Sequence, residues 1–120
     1  MTADVTVPPE ALLIARMRQK APRISMSEAA RRSGLSLTRW RQIENGFRPE
    51  RGTRYREVGP AQTIAKMAAA VGISPAQLAE VGRPDAADEL AVILADLERS
   101  GVFNGRQSAA LARRIREDTD

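Results

Sequence analysis

The chain has no cysteine and no histidine among its 120 residues. Without cysteine, neither disulfides nor thiolate zinc ligands can form, as suits a protein of a reducing compartment. The sequence also has no phosphate-cradling glycine loop and no paired carboxylates in a cleft pattern. It therefore offers few side chains for general acid–base or nucleophilic catalysis. We therefore expect neither an enzyme nor a metal or cofactor site.

Aromatic residues and long apolar runs are equally scarce. Aromatic side chains make up 3% of the sequence, and alanine is abundant, a balance that favours closely packed helices over a sheet. No apolar run approaches the roughly 18 residues of a membrane span. The first residues, MTADVTVPPE, lack the basic and apolar regions of a signal peptide. We expect a cytoplasmic protein with no membrane partner.

Positive charge is plentiful but unevenly distributed. Of the 19 basic residues 17 are arginine, whose planar fork matches phosphate oxygens and the guanine edge better than lysine does. From Arg16 to Arg56 there are 12 basic and three acidic residues, a local charge of +9, whereas residues 61–120 carry −2. A basic half of this kind is typical of a protein that binds a polyanion. The alternative is a basic face that is only solvated and has no binding role.

The segment SMSEAARRSGLSLTRWRQIENG, from Ser25 to Gly46, predicts two short helices joined by a tight turn. Ser25 and Glu28 have the spacing of a capping box at the start of the first helix, about 26–33. Gly34 would end that helix, and Ser36 would cap a second one, about 37–45. Apolar residues fall where the two helices would cross, and the rest of the second helix is left free for a partner.

These residues resemble the helix-turn-helix of the lambdoid Cro and repressor family, also called the XRE family. The features in common are the small residue in the first helix, the glycine of the turn and the I-E-N-G ending. The resemblance continues through IAKMAAAVGISPAQL, which is similar to the family's fourth and fifth helices, and covers roughly residues 10–82. It implies that the second helix enters the major groove of double-stranded DNA.

The resemblance and the helical phase together suggest two sets of DNA contacts. The residues expected at base edges are Leu37, Thr38, Arg41 and Gln42. The residues expected at the sugar–phosphate backbone are Arg18, Ser36, Arg39, Asn45, Arg48, Arg51 and Arg54. Arginine pairs best with guanine and glutamine with adenine, whereas phosphate contacts set the register without reading sequence.

Three residues of the second helix have alternative interpretations. Leu37 would touch a thymine methyl or simply pack against the turn. The phase of Trp40 places it with Ile43 in the core rather than on a base. The family resemblance suggests that Glu44 pairs with Arg18 and holds it toward the DNA backbone, while an ordinary surface ion pair of little energy is equally compatible with the sequence.

The sequence departs from the family at two points. Met26 stands where the family usually has a glutamine that touches phosphate, which puts one backbone contact in doubt. The segment FRPERGTRYREVGP, from Phe47 to Pro60, is longer than the usual loop and carries four arginines. It suggests an added DNA-contacting loop in the manner of a short wing, with a solvated loop as the alternative.

We therefore expect an all-α fold: a five-helix, lambda-repressor-like domain with one or two further C-terminal helices. Residues 1–9 would be a flexible arm, 10–82 the DNA-binding domain and 83–120 a helical extension. The extension has an apolar stripe of Leu90, Ile93, Leu94 and Leu97, and a weaker one of Leu111 and Ile115. The first stripe would lie on its own domain or, less favoured, form a dimer seam.

The expected function is that of a sequence-specific transcriptional regulator, in its most concrete form a phage immunity repressor that excludes polymerase by occupying an operator. An antitoxin or a host regulator of the same family stays open. The alternative class is a helical protein-interaction module, such as an antitoxin or adaptor. The expected partners are an operator in double-stranded DNA and either a weakly associated second copy or a downstream domain absent from this sequence.

Overall fold

The computed structural model describes residues 7–20 and 22–100. These residues form six helices and one antiparallel sheet of two strands. Their order is α1 (Pro9–Gln19), α2 (Met26–Ser33), α3 (Leu37–Asn45), β1 (Phe47–Glu50), β2 (Thr53–Arg56), α4 (Ala61–Val71), α5 (Pro75–Glu80) and α6 (Pro84–Ser100). The mainly helical architecture is confirmed, and the strictly all-α expectation is corrected by the sheet. The weaker apolar stripe of Leu111 and Ile115 lies outside the described residues.

Local stop and start signals determine the helix bounds. The Ser25 hydroxyl accepts the N–H of Glu28 and the Ser36 hydroxyl accepts the N–H of Arg39, both at 3.0 Å. Gly34 follows α2 with φ of +79° and Gly46 follows α3 with φ of +82°. Because glycine adopts this left-handed backbone without a steric cost, both helices end where the sequence predicts.

The reciprocal half of the capping box at Ser25 is not formed. The Glu28 carboxylate instead accepts hydrogen bonds from Arg31 and Arg32, one turn further along α2. These charge-assisted bonds are stronger than a bond to a neutral N–H, and they lower the pKa of Glu28 to about 2. A complete capping box is present at α5, where Ser74 and Gln77 exchange hydrogen bonds.

The segment after α3 is a β-hairpin and not the loop that the sequence suggested. Its register pairs Phe47 with Arg56 and Glu50 with Thr53, which leaves a two-residue turn of Arg51 and Gly52. Both turn residues have positive φ, +52° and +81°, as a type I′ turn requires. The sequence signal is weak because arginine replaces the asparagine or glycine that usually opens such a turn.

The core lies among α1 to α6. Its largest fully buried side chains are Ile14, Trp40, Ile43, Ile64, Met67, Leu78 and Leu90. Helix α6 packs on α4 and α5, with Leu90 buried and Ile93 and Leu94 partly buried against the core. Three residues of the apolar stripe, Leu90, Ile93 and Leu94, therefore pack on their own domain, as the favoured interpretation expected, whereas Leu97 is partly exposed and is not among the residues packed against the core.

One arginine joins three distant parts of the chain. Arg83, just before α6, donates to the Glu10 carboxylate of α1 at 2.8 Å and to the carbonyl of Gly59 at 2.9 Å. It also pairs with Asp85, and this lowers the pKa of the Asp85 carboxyl. Glu10 is buried, so its charge needs this partner. No local sequence signal predicts this connection, because its partners are distant along the chain.

The end of the expected N-terminal arm lies against α3. Residues 1–6 of the arm are outside the described residues, but Pro8 is buried. A Cβ built on Gly46 would lie 3.0 Å from Cδ of Pro8 and 3.1 Å from Cα of Val7. Gly46 is therefore required both for its backbone conformation and for close approach of the chain before α1.

We expect Gly46→Ala to destabilise the fold more than Gly34→Ala. Both substitutions force alanine into a left-handed backbone, which costs about 1 kcal/mol, but a Cβ on Gly34 meets nothing within 4 Å. The crowding at Gly46 should add about 1–3 kcal/mol. Urea unfolding of the two variants measures the difference, and equal losses would show that the contact with Val7 and Pro8 contributes nothing.

Candidate nucleic-acid interface

Helix α3 separates its residues cleanly into an inner and an outer side. Trp40, Ile43 and Glu44 are buried. The outer side consists of the exposed residues Thr38, Arg41 and Asn45 and the partly exposed residues Leu37, Arg39 and Gln42. All four residues expected at base edges thus lie together on one side of one helix, while the intermediate exposure of Leu37 leaves both of its interpretations open.

Glu44 is the centre of a buried polar network on the inner side. Its carboxylate accepts the indole N–H of Trp40 at 2.7 Å and two bonds from the Arg18 guanidinium, from Nε at 2.9 Å and Nη2 at 2.8 Å. The Arg18 and Glu44 side chains are only 10% and 4% exposed. The expected pair with Arg18 is confirmed, and it is a buried pair instead of a surface one.

Arg18 is occupied by these contacts to an extent the sequence did not indicate. Besides its two bonds to Glu44, it donates from Nη1 to the carbonyl of Ile24 at 3.0 Å. The hydrogen bonds that Arg18 donates to the Glu44 carboxylate also raise the pKa of Arg18 above its ordinary value. A partly buried guanidinium with three protein acceptors has little left to offer a phosphate, and its geometry fits a positioning role between α1 and α3.

Two more of the arginines expected to contact phosphate pair with a single carboxylate. Glu57, directly after β2, pairs with Arg39 of α3 and with Arg48 of β1. Arg39 is the main cause of the lowered pKa of Glu57, and Arg48 adds to it. The Glu57 N–H also donates to the carbonyl of Gly46 at 3.0 Å. Glu57 therefore ties the base of the hairpin to the end of α3.

The hairpin presents its remaining arginines to solvent. Arg51, Arg54 and Arg56 are exposed, and within residues 7–20 and 22–100 none of the three has an ion-pair partner. The Arg54 guanidinium lies 4.5 Å from the centre of the Phe47 ring, and Arg48 lies 5.4 Å from that of Tyr55. These contacts hold both arginines along the strands, and the N–H groups of Arg54 stay accessible whereas Arg48 is paired with Glu50 and Glu57.

The other expected backbone contacts are also accessible. Asn45 is exposed at the end of α3, and Ser36 is exposed at its start, although its hydroxyl already accepts the Arg39 N–H. Sequence reasoning missed Glu57 and Arg56. Arg56 could have been found as the fourth arginine of the segment, whereas the two partners of Glu57 follow only from the way the hairpin folds back beside α3.

Comparisons with protein families, with curated proteins and with solved structures find no match to this chain. None of the helices in the described part of the chain is long and apolar enough to cross a membrane. Any assignment of function therefore depends on the geometry and charge of this surface.

We expect Glu44→Gln to lower the free energy of unfolding by about 3 kcal/mol or more, because it leaves the Arg18 guanidinium buried without a counter-charge. The matched control is Glu28→Gln, which removes a carboxylate from two exposed arginines and should have a much smaller effect. Urea unfolding followed by tryptophan fluorescence provides the measurement. Equal losses in the two variants would contradict a special role for the buried network.

The stability contributed by Glu57 should depend on pH. Since its folded-state pKa is lowered, its ionised form is favoured in the folded protein, and this contribution is present above the unfolded value near 4.5 and lost as the pH falls through the folded value. The difference in free energy of unfolding between the wild type and Glu57→Gln should therefore be largest near pH 6 and fade toward pH 3. A difference independent of pH would contradict the ion-pair explanation.

Proposed function

We propose that this chain is a sequence-specific double-stranded DNA-binding protein that acts as a transcriptional regulator. Helices α2 and α3 would form its helix-turn-helix, with α3 lying in the major groove. The observation that carries the proposal is the outer side of α3: Thr38, Arg41 and Asn45 are exposed, and no hydrogen bond engages their side chains within the described residues. An ordered helix with unengaged polar groups is what base reading requires.

The rigid attachment of α3 supports this proposal. Base readout needs side chains that approach the groove in one orientation, and the cost of ordering them is smaller when the helix is already held. The buried bonds from Trp40 and Arg18 to Glu44 hold the inner side of α3. In this proposal Arg18 positions the helix, and Arg41 and Gln42 pair with guanine and adenine edges.

The phosphate contacts would come from both sides of the helix. Arg39 belongs to α3, and its side chain stays partly exposed although it pairs with Glu57. Asn45 lies at the C-terminal end of the same helix. Such contacts set the register on the duplex without specifying sequence. A protein bound in this way could repress a promoter by occupying the site that polymerase needs, in the manner expected of an immunity repressor.

A helical protein-interaction module is the other class that the sequence left open. Such a module would present an apolar face. The large exposed apolar side chains among the described residues are Leu12, Tyr55, Val58 and Val92, and they come from three parts of the chain: α1, the end of the hairpin and α6. The outer side of α3 is instead polar and basic, which supports DNA as the partner.

We expect Arg41→Ala and Gln42→Ala each to weaken binding to the preferred duplex by about 1–3 kcal/mol and binding to unrelated duplexes far less, because base contacts carry discrimination. A selection from random duplex DNA identifies the preferred site, and titration at fixed salt gives the affinities. The control is Arg99→Ala, in the last turn of α6, which packs on α4 and α5. Equal losses on both kinds of duplex would remove Arg41 and Gln42 from base reading.

A further inference from the structure

The β-hairpin projects from the helical body next to the proposed reading helix. Its main contact with the helices is with α3, and only Gly46 separates Asn45, the last residue of α3, from Phe47, the first of β1. All four residues of β2 are exposed. The hairpin is thus an arm whose base is fastened to α3 and whose turn extends into solvent.

The turn carries an arginine where the backbone favours another residue. Arg51 has φ of +52°, and it is the one non-glycine residue with positive φ in the described part of the chain. Asparagine, aspartate and glycine are preferred at this position of a type I′ turn. Arginine there is unfavourable for the hairpin itself, and such local costs are found where a side chain serves a binding function.

The hairpin cations that have no ion-pair partner among the described residues lie at the turn and along β2. Arg48, near the base, is paired with both Glu50 and Glu57. Arg54 and Arg56 belong to the same face as Phe47, by the register that pairs Phe47 with Arg56. Together with Arg51 at the turn, they form a row of exposed cations, which is complementary to the phosphates that line a groove.

Dimensions restrict what this arm can enter. Four residues of strand span about 13 Å. This length is close to the half-turn of about 17 Å that separates the major groove from the next minor groove of a duplex. A minor groove about 6 Å wide is too narrow for a two-stranded ribbon with its side chains, but it admits one extended side chain at the turn. Arg51 is the side chain at that position.

We propose that the hairpin is a second DNA-contacting element, in which Arg51 enters the minor groove beside the α3 site and favours A·T base pairs there, while Arg54 and Arg56 contact the flanking phosphates. A·T-rich minor grooves are narrow and strongly negative, so they attract an inserted guanidinium, whereas the guanine amino group obstructs it. This inference rests on the proposed function, since it takes α3 as lying in the major groove.

The test uses one central site, obtained by selection, with flanks of A·T, G·C or inosine·cytosine pairs. Inosine presents the major-groove edge of guanine but lacks the amino group in the minor groove, so it separates the two kinds of readout. We expect the wild type to bind the A·T and inosine·cytosine duplexes with similar affinity, and the G·C duplex about fivefold to tenfold more weakly.

The variants are chosen to keep the turn intact. Arg51→Asn and Arg51→Gly place residues that favour positive φ at the turn, so loss of the hairpin cannot explain their effect. Both should bind all three duplexes with equal affinity, while Arg99→Ala should keep the wild-type preference. Arg54→Ala should instead weaken binding on all flanks and make the salt slope shallower by about one.

Each remaining outcome overturns the inference. Inosine·cytosine flanks that behave like G·C would assign the preference to the major groove, and an equal loss on all flanks in Arg51→Asn would make Arg51 a phosphate contact. Wild-type affinity in Arg51→Asn would remove the turn from the interface. Failure of the proposed function is distinct, because the selection would then recover no preferred duplex and Arg41→Ala would change nothing.

Discussion

The buried carboxylate of Glu44 is the constraint on which the proposed reading surface depends. A carboxylate in a low-dielectric interior is unfavourable unless donors surround it, and here it accepts bonds from Trp40 of its own helix and from Arg18 of α1. Together these bonds set the rotation of α3 about its axis. A rotation by one residue that turned Glu44 to the exposed place of Asn45 would also carry Arg39 into the buried place of Trp40, so the outer side of α3 follows from what its inner side must bury.

The helices could be predicted because their limits are local. Serine caps, glycines that tolerate positive φ and apolar residues at helical spacing all act within a few residues, and the predicted bounds of α2 and α3 agree with the structure. The hairpin was missed for the same reason. Its strands have no alternation of buried and exposed residues, and its turn lacks the usual asparagine, so the local signals that identify a hairpin are absent.

The arginine pattern predicted the basic half of the molecule but not which arginines remain available. Several of the counted cations are engaged within the protein: Arg18 by Glu44, Arg31 and Arg32 by Glu28, and Arg39 and Arg48 by Glu57. Pair choice depends on contacts between residues distant in sequence, such as the 26 positions between Arg18 and Glu44. The charge of a segment is therefore an upper bound on the cations it offers a partner.

The same pairing explains how a short hairpin can persist beside the helices. A two-stranded hairpin alone is marginally stable in water, and β2 buries none of its residues. The base is held instead by Glu57, which joins Arg39 and Arg48, and the strands by the contact of Arg54 with Phe47. Arg39 and Arg48 are thus engaged in holding the arm in place, whereas Arg51, Arg54 and Arg56 have no ion-pair partner within the described residues. An arm that is ordered before binding loses less conformational entropy on meeting a partner than a flexible loop would. The acids that pair with Arg39 and Arg48 order the arm, and in this way they favour binding by the other, unpaired arginines.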